Sequence, residues 1–219
     1  MKKFELTSES IVKLGRKLYR IRALVAFGDV EEGELGGFLE KEENLSQDGT
    51  AWVYGDATVR GNAEVSGDAT VRGNAEVSGN ATVSGNATVR GTATVCGTAT
   101  VSGDATVRGD ATVGGNATVR GNAEVRGNAT VSENAWVFKT SHYLVIGPVG
   151  SRNGFTTFFR TKNLFIGVVC GCFRGNVDEF AEKVKKTHGD NKHAKTYLAA
   201  AELAKMQIDL TPEENEPEE

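Results

Sequence analysis

Residues 63–92 read AEVSGDATVRGNAEVSGNATVSGNATVRGT, and this stretch decides the fold. Its unit is Ala-Thr/Glu-Val-Arg/Ser-Gly-Asn/Asp. Within each unit Ala and Val alternate with polar residues, so a short strand turns both apolar side chains to one face. The Gly-Asn/Asp step supplies residues that tolerate positive φ and lets the chain turn. One strand and one turn in every six residues predict a triangular coil of three strands.

The hexapeptide runs without interruption from Ala51 to Val137. A valine occupies the same place in each of fifteen units, and three units per turn make five coils. At a strand spacing of about 4.8 Å the resulting prism is about 24 Å long. We therefore predict a mainly β fold built on a left-handed parallel β-helix of about five coils, with a dry core of stacked Val and Ala.

Open ends of such a prism expose unpaired strand edges, so the flanking segments are expected to act as caps. We divide the chain into an N-terminal β cap (1–50), the β-helix (51–139), a C-terminal α+β module (140–208) and an acidic tail (209–219). The tail carries six acidic residues and two prolines, which predicts disorder. Trp52 and Trp136, in the first and last hexapeptides, are expected to seal the flanking segments onto the prism.

The two flanking segments also contain secondary structure of their own. KLYRIRALVAF, residues 17–27, predicts one or two strands in the cap. In the C-terminal module we predict three strands and two helices, at Tyr143–Ile146, Phe155–Arg160, Leu164–Cys172, Val177–Lys186 and Lys192–Ile208. Asn176 and Glu179 have the spacing of a capping box at the start of the first helix.

The composition limits which cellular compartment and which classes of partner are to be expected. The chain has 25 Lys+Arg against 29 Asp+Glu, which argues against a nucleic-acid coat. MKKFELTSES lacks the apolar region of a signal peptide, and no apolar run approaches the ~20 residues of a membrane span. Three cysteines, an odd number, argue against a disulfide framework. We expect a cytoplasmic protein with no membrane partner.

Every third hexapeptide lies on the same face of the predicted prism, so one face carries an arginine column: Arg72, Arg90, Arg108 and Arg126. Stacked guanidinium groups repel one another unless Asp110, Glu124, a second subunit or an anionic ligand answers them. The three interpretations are a solvated face, an interface in an oligomer and a strip for a polyanion. Left-handed β-helices commonly trimerise side by side, so this resemblance leads us to expect a homotrimer. Rows of Thr and Ser raise ice binding as well, but Arg and Glu interrupt those rows.

Most residues that could bind a ligand or take part in chemistry lie in the C-terminal module. A glycine-flanked loop, several hydroxyls and cations, and a cluster near the helix–helix turn predict a site for a phosphate-like or nucleotide-like anion. The candidate ligand-binding residues are Ser151, Arg152, Asn153, Thr156, Thr157, Arg160, Lys162, Arg174, His188, His193 and Tyr197. The alternative is a basic, solvated cap whose polar residues tie loops together.

Metal binding and catalysis receive less support from the residues. One possibility is a zinc site formed by Cys170, Cys172, His188 and His193, and another is a nucleophilic cysteine beside one of the histidines. Strand alternation instead favours two small core cysteines. The repeat is similar to that of hexapeptide-repeat acyltransferases, which use a histidine as general base. Residues 51–139 contain no histidine and no inserted loop. We expect no enzyme, no cofactor and no metal.

Two stretches carry a further resemblance. GELGGFLEKEENLSQDGTAWVYGDA (residues 33–57) resembles the N-terminal cap of hexapeptide-repeat proteins of phages and prophages. GPVGSRNGFTTFFRTK (147–162) and CGCFRGNVDEFAEKVKKTHGDNKHAKTY (170–197) resemble a C-terminal module of phage-encoded proteins. The resemblance implies a phage or prophage origin. That origin, together with the excess of basic residues in the C-terminal module, favours a non-enzymatic binding protein that sequesters an anionic molecule, such as a nucleotide immune signal, or a host protein. The alternatives are a structural or virion assembly protein and an acyltransferase.

Overall fold

A three-sided β-solenoid forms the middle of the chain in the computed structural model, which describes residues 2–212. Each of its fifteen short strands holds the residue before the repeat valine and that valine. The strands are β4 (Trp52–Val53), β5 (Thr58–Val59), β6 (Glu64–Val65), β7 (Thr70–Val71), β8 (Glu76–Val77), β9 (Thr82–Val83), β10 (Thr88–Val89), β11 (Thr94–Val95), β12 (Thr100–Val101), β13 (Thr106–Val107), β14 (Thr112–Val113), β15 (Thr118–Val119), β16 (Glu124–Val125), β17 (Thr130–Val131) and β18 (Trp136–Val137).

Strands three apart in sequence pair in parallel and build three sheets. The first sheet contains β5, β8, β11, β14 and β17, the second β4, β7, β10, β13 and β16, and the third β6, β9, β12, β15 and β18. The alanine and the valine of every repeat are at most 1% exposed. The predicted mainly β fold, a parallel solenoid around stacked Val and Ala with a small C-terminal module, is confirmed.

The corners of the solenoid depend on glycine. Gly79 has a φ of 75°, a conformation that residues with a Cβ rarely adopt. A Cβ at this position would lie 2.7 Å from the carbonyl oxygen of Gly97, in the next coil. Glycine is therefore required twice over, by the backbone angle and by the close stacking of corners.

The N-terminal segment adds an irregular coil before the repeats. β1 (Phe4–Lys13) and β2 (Arg16–Ala23) form an antiparallel hairpin, and β3 (Leu35–Leu39) pairs antiparallel with β2 and parallel with β5. A 3₁₀ turn at Glu42–Asn44 leads to an isolated bridge between Leu45 and Val65. The solenoid therefore has about six turns, one more than the hexapeptides alone predict.

Aromatic side chains close both ends of the solenoid. Trp52 is 1% exposed, with its ring centroid 5.4 Å from that of Phe27 and 6.2 Å from that of Phe4. At the other end Trp136 packs edge-on against Phe138, with centroids 5.5 Å apart. Trp52 seals the N-terminal segment onto the first coil, as the sequence predicts, and Trp136 packs against the chain that leaves the last coil.

The C-terminal module is a four-stranded antiparallel sheet covered by two helices. Its elements are β19 (Tyr143–Val149), β20 (Gly154–Arg160), β21 (Ile166–Cys170), β22 (Phe173–Asn176), α1 (Val177–His188) and α2 (Lys192–Gln207), after a 3₁₀ turn at Thr140–His142. The predicted strand Leu164–Cys172 is confirmed but is shorter, Ile166–Cys170, because Leu164 (φ 58°) and Gly171 (φ 58°) turn the chain at its two ends. The two helices and the capping box are confirmed.

The module docks on the last coil through backbone-directed hydrogen bonds. The Thr157 hydroxyl accepts from the Thr130 N–H at 2.9 Å, and the Lys162 N–H donates to the Asn134 carbonyl at 3.0 Å. The Arg160 guanidinium donates to the Thr211 carbonyl at 3.3 Å, so the first residues of the predicted acidic tail lie on the module. The rest of that tail, residues 213–219, lies outside the described residues.

Candidate functional site

A cleft of about 260 Å³ opens in the C-terminal module. The β19–β20 loop, the β21–β22 turn and both helices surround it. The loop approaches α2 closely at Gly150, where a Cβ would lie 1.8 Å from the Tyr197 hydroxyl oxygen. Gly150 has a φ of 76°, so a residue without a side chain is needed there to hold the loop against the helix.

The floor of the cleft is aromatic. Phe180 of α1 packs against Phe173 at 5.4 Å and against Tyr197 at 5.7 Å between ring centroids. Phe180 also contacts Phe158 of the sheet at 5.8 Å, which anchors the floor in the core of the module. Phe155 lines the mouth of the cleft and is 39% exposed. This arrangement offers ring faces and edges to an apolar or aromatic part of a ligand.

Cationic and hydroxyl groups form the rim. Arg152 lies in the β19–β20 loop and Lys183 on α1, and both are exposed and line the cleft. His188 completes the rim, with its ring 5.8 Å from that of Tyr197 and 5.9 Å from that of His193. Ser151 adds a hydroxyl beside Arg152. A rim of this kind favours an anion.

Tyr197 and Cys170 join the rim to the floor. Burial raises the pKa of the Tyr197 hydroxyl, and the neighbouring Cys170 raises it further, whereas the charge of Arg152 lowers it. The Thr156 hydroxyl donates to the Cys170 sulfur at 3.1 Å from beneath the floor. The Tyr197 hydroxyl therefore stays neutral at physiological pH, so it can donate a hydrogen bond to an anion.

Five of the candidate residues come together at the cleft and its floor, and two lie beside it. Ser151, Arg152, His188 and Tyr197 line the cleft, and Thr156 supports it through Cys170. Asn153 is exposed in the same loop at a φ of 48°. His193 reaches the cleft only through its contact with His188.

Four candidates have other roles, because the fold turns them away from the cleft. Thr157 is 1% exposed against the solenoid, and Arg160 is 0% exposed with its guanidinium 5.6 Å from the centre of the Phe138 ring. Lys162 lies near the last coil. Arg174 closes the β21–β22 turn by donating to the Gly171 carbonyl at 2.7 Å.

Sequence reasoning missed Lys183, Thr187 and the aromatic floor. Lys183 and Thr187 lie four residues apart on α1, beside the apolar stripe that contains Phe180 and Val184. Residues three and four apart share one face of a helix, so this spacing contained the signal. No pattern in the sequence indicates that Phe155 lines the cleft, because its exposure depends on where the β19–β20 loop ends.

The arginine column on the solenoid is also formed. β7, β10, β13 and β16 are consecutive neighbours in the second sheet, which stacks the residues that follow them: Arg72, Arg90, Arg108 and Arg126. Glu124 forms an ion pair with Arg108 and lies 3.9 Å from Arg126. The hydrogen bond from Arg108 holds the pKa of Glu124 below its usual value. Asp110 instead accepts from the Thr92 hydroxyl of the coil before it.

Comparison with known protein families gives a match for this chain. Residues 47–206 match a family described as "Putative Ice-binding-like adhesive domain", which spans the repeats and the C-terminal module. The chain belongs to this family. Comparison with curated proteins gave no match. Within residues 2–212 of this ice-binding-like adhesive domain, no group of three His, Cys, Asp or Glu side chains is arranged to hold a metal ion. The described helices of the domain are too short or too polar to cross a membrane.

Proposed function

We propose that the protein is a non-enzymatic binding protein, in which the β-solenoid is a rigid scaffold and the C-terminal cleft takes an anionic ligand. The observation that carries this proposal is the pairing of an aromatic floor at Phe173 and Phe180 with cations at Arg152 and Lys183. Small-molecule sites in proteins combine apolar walls with a few placed polar groups in the same way.

The size of the cleft limits the ligand. Sites for drug-sized molecules usually measure about 300–1,000 Å³, and this cleft holds about 260 Å³. It suits a mononucleotide or an acidic sugar, or the end group of a larger molecule. A nucleotide immune signal is one ligand of this class, and the phage resemblance of the sequence is its support. Phage origin, a cytoplasmic location and a homotrimer stay predictions.

Family membership favours a second candidate function, attachment to a surface. The matched family is described as adhesive and covers the solenoid as well as the module. A solenoid suits attachment because its backbone is fixed by neighbouring coils, so a side chain at one repeat position recurs at a constant interval. In this candidate function the exposed faces bind, and the cleft adds an end-group contact. A structural role in an assembly uses the same rigidity without a ligand.

A thermal-shift panel tests the cleft. The probes are inorganic phosphate, AMP, a cyclic dinucleotide, galacturonate, acetyl-CoA and zinc chloride. A probe that binds only the folded protein raises its melting temperature by mass action. We expect a shift with AMP or galacturonate that is lost in R152A/K183A. The matched control is Lys162→Ala, which removes an exposed cation of the same module outside the cleft.

The panel also separates the alternatives. A shift with acetyl-CoA alone would favour an acyltransferase, and a shift with zinc alone would favour a metal site. A panel with no shift at all would remove the cleft proposal and leave attachment or assembly through the solenoid.

A further inference from the structure

We infer that the second sheet of the solenoid binds an acidic polysaccharide chain lengthwise along the arginine column. This inference rests on the candidate function of attachment and does not depend on the cleft. The surface to which the solenoid attaches would then be one that carries an acidic polysaccharide.

The arginines of the solenoid are gathered on one face. Residues 51–139 contain six arginines, and four of them form the column. The other two are used within the fold. Arg60 on the first sheet forms an ion pair with Glu76, and Arg120 on the third lies over the rings of Trp136 and Phe138 at 5.2 and 4.2 Å. Only the second sheet therefore presents cations in consecutive coils.

The column has ion pairs at one end and not at the other. Glu124 forms ion pairs with Arg108 and Arg126, and the charge of Arg90 also helps to lower its pKa. Within residues 2–212, the guanidinium groups of Arg72 and Arg90 form no ion pair or hydrogen bond. Two adjacent cations held one strand spacing apart repel each other, so an anion that bridges them is attracted to this part of the face.

Neighbouring groups on the same face suit a sugar chain. Thr70, Thr88 and Thr106 stack beside the arginines and are half-buried. Tyr54 heads the column one coil before Arg72, with its ring half-buried and its phenol within reach of the charges of Glu34, Asp29 and Arg72. Hydroxyls bond sugar oxygens, guanidinium groups bind carboxylates in a two-pronged fashion, and an aromatic ring stacks on a sugar face.

The spacing of the column selects among polyanions. Stacked strands repeat every ~4.8 Å, which is close to the advance of one sugar along an extended 1,4-linked uronate chain, so one sugar meets each coil. Neighbouring sugars turn their carboxylates to different sides, so the carboxylates that face the column recur about every second coil. An extended acidic peptide repeats on one side every two residues, about 6.8 Å. Phosphates along one strand of duplex DNA follow every ~3.4 Å of the axis. Both of these polymers lose register with the arginines within two or three coils.

The test measures binding to polygalacturonate by affinity gel electrophoresis, then to oligogalacturonates of increasing length by calorimetry. We expect the wild-type protein to be retarded by the acidic polymer and not by dextran. R72S/R90S should weaken binding by about tenfold, as expected for the loss of two exposed ion pairs. Affinity should rise up to about four or five sugars and then level off, since four coils span about 14 Å.

The control is R72S/R90S/S66R/C96R, which keeps the net charge but places one arginine on the third sheet and one on the first, with no arginine in the neighbouring coils of either sheet. Serine and arginine both occur at this repeat position, so all variants should fold, and unchanged melting temperatures check this. Equal binding by this control would overturn the inference, because net charge would then suffice. Tighter binding of polyglutamate or DNA would overturn it as well. So would a change of oligomeric state in R72S/R90S, which would make the column an interface between copies of the chain.

Discussion

The Lys3 ammonium donates a hydrogen bond to the Ala51 carbonyl oxygen over 3.1 Å, inside the N-terminal end of the solenoid. The same ammonium lies 3.3 Å from the Gly49 carbonyl and 3.4 Å from that of Asp48. Lys3 is 4% exposed. A buried cation thus satisfies carbonyl oxygens at the N-terminal edge of the repeats. The N-terminal strand therefore helps to close this end of the solenoid.

Replacement of Lys3 by methionine should lower the free energy of unfolding by about 1–3 kcal/mol, because buried carbonyls lose their donor. Chemical denaturation followed by circular dichroism measures the change. Lys2→Met is the matched control, since Lys2 pairs with Glu42 at the surface and its side chain is 49% exposed. Its effect should stay within ~0.5 kcal/mol. Equal effects of the two substitutions would show that Lys3 does not close the end.

Stacked glycine corners give a second prediction. Gly79→Ala places a methyl group 2.7 Å from the Gly97 carbonyl oxygen and should destabilise the protein by more than 2 kcal/mol. At Gly127 the φ is also positive, at 65°, but no atom lies within 4 Å of an added Cβ. Gly127→Ala should therefore cost only the ~1–2 kcal/mol of backbone strain. Similar melting temperatures for the two variants would argue against close stacking of the corners.

Because of the Arg60–Glu76 ion pair, we predict that the stability of the protein depends on pH in the acidic range. Burial favours a raised pKa for Glu76, but hydrogen bonds from Arg60 and Lys13 outweigh it and hold the pKa below 4.5. The stability gained from the ionised carboxylate is present above pH 4.5, the value of the unfolded state, and is lost as the pH falls through the folded pKa. Glu76→Gln should cost about 1 kcal/mol at pH 7 and progressively less below pH 4.5.

Thermal melts from pH 7 to pH 3 measure this dependence. Glu64→Gln is the control, because Glu64 holds the same repeat position on another sheet and is exposed. A loss for Glu76→Gln that persists unchanged at low pH would contradict the account of the ion pair.

The solenoid could be predicted because its period is written in the residues. Each valine and each glycine occupies a fixed position in the coil, and the same pattern recurs in every repeat. The irregular first coil was not predicted, because the chain there leaves the period. Leu45 pairs with Val65, twenty positions on, whereas Trp52 pairs with Thr70, eighteen positions on. A longer path between Leu45 and Trp52 cannot be read from a six-residue pattern.

The site could be predicted only in part. Ser151 and Arg152 follow from a glycine-flanked loop, and loops carry exposed side chains. Thr157 and Arg160 looked equally suitable, but they belong to a strand whose two faces are both covered, one by the solenoid and one by the helices. Which polar residues of a strand are buried depends on tertiary packing, and alternation alone cannot decide it.

Gly150 provides a test of the shape of the cleft. Gly150→Ala brings a methyl group into the Tyr197 hydroxyl, 1.8 Å away, so the loop that carries Arg152 must move. We expect any thermal shift with AMP or galacturonate to fall severalfold, with a loss of stability of about 1–2 kcal/mol from the positive φ. Gly189→Ala is the control, because its φ is also positive, at 55°, and an added Cβ there meets no atom within 4 Å. Unchanged ligand binding in Gly150→Ala would mean that the loop does not form the site.

The central claim is that the cleft binds an anion between Arg152 and Lys183, and calorimetric titration of the wild-type protein with AMP tests it most directly. AMP joins an aromatic group to a phosphate and approaches the size of the cleft. We expect one site per chain, with affinity weakened at least tenfold in R152A/K183A and unchanged in Lys162→Ala. The same affinity in all three proteins, or no heat of binding with AMP and with galacturonate in its place, would contradict the claim.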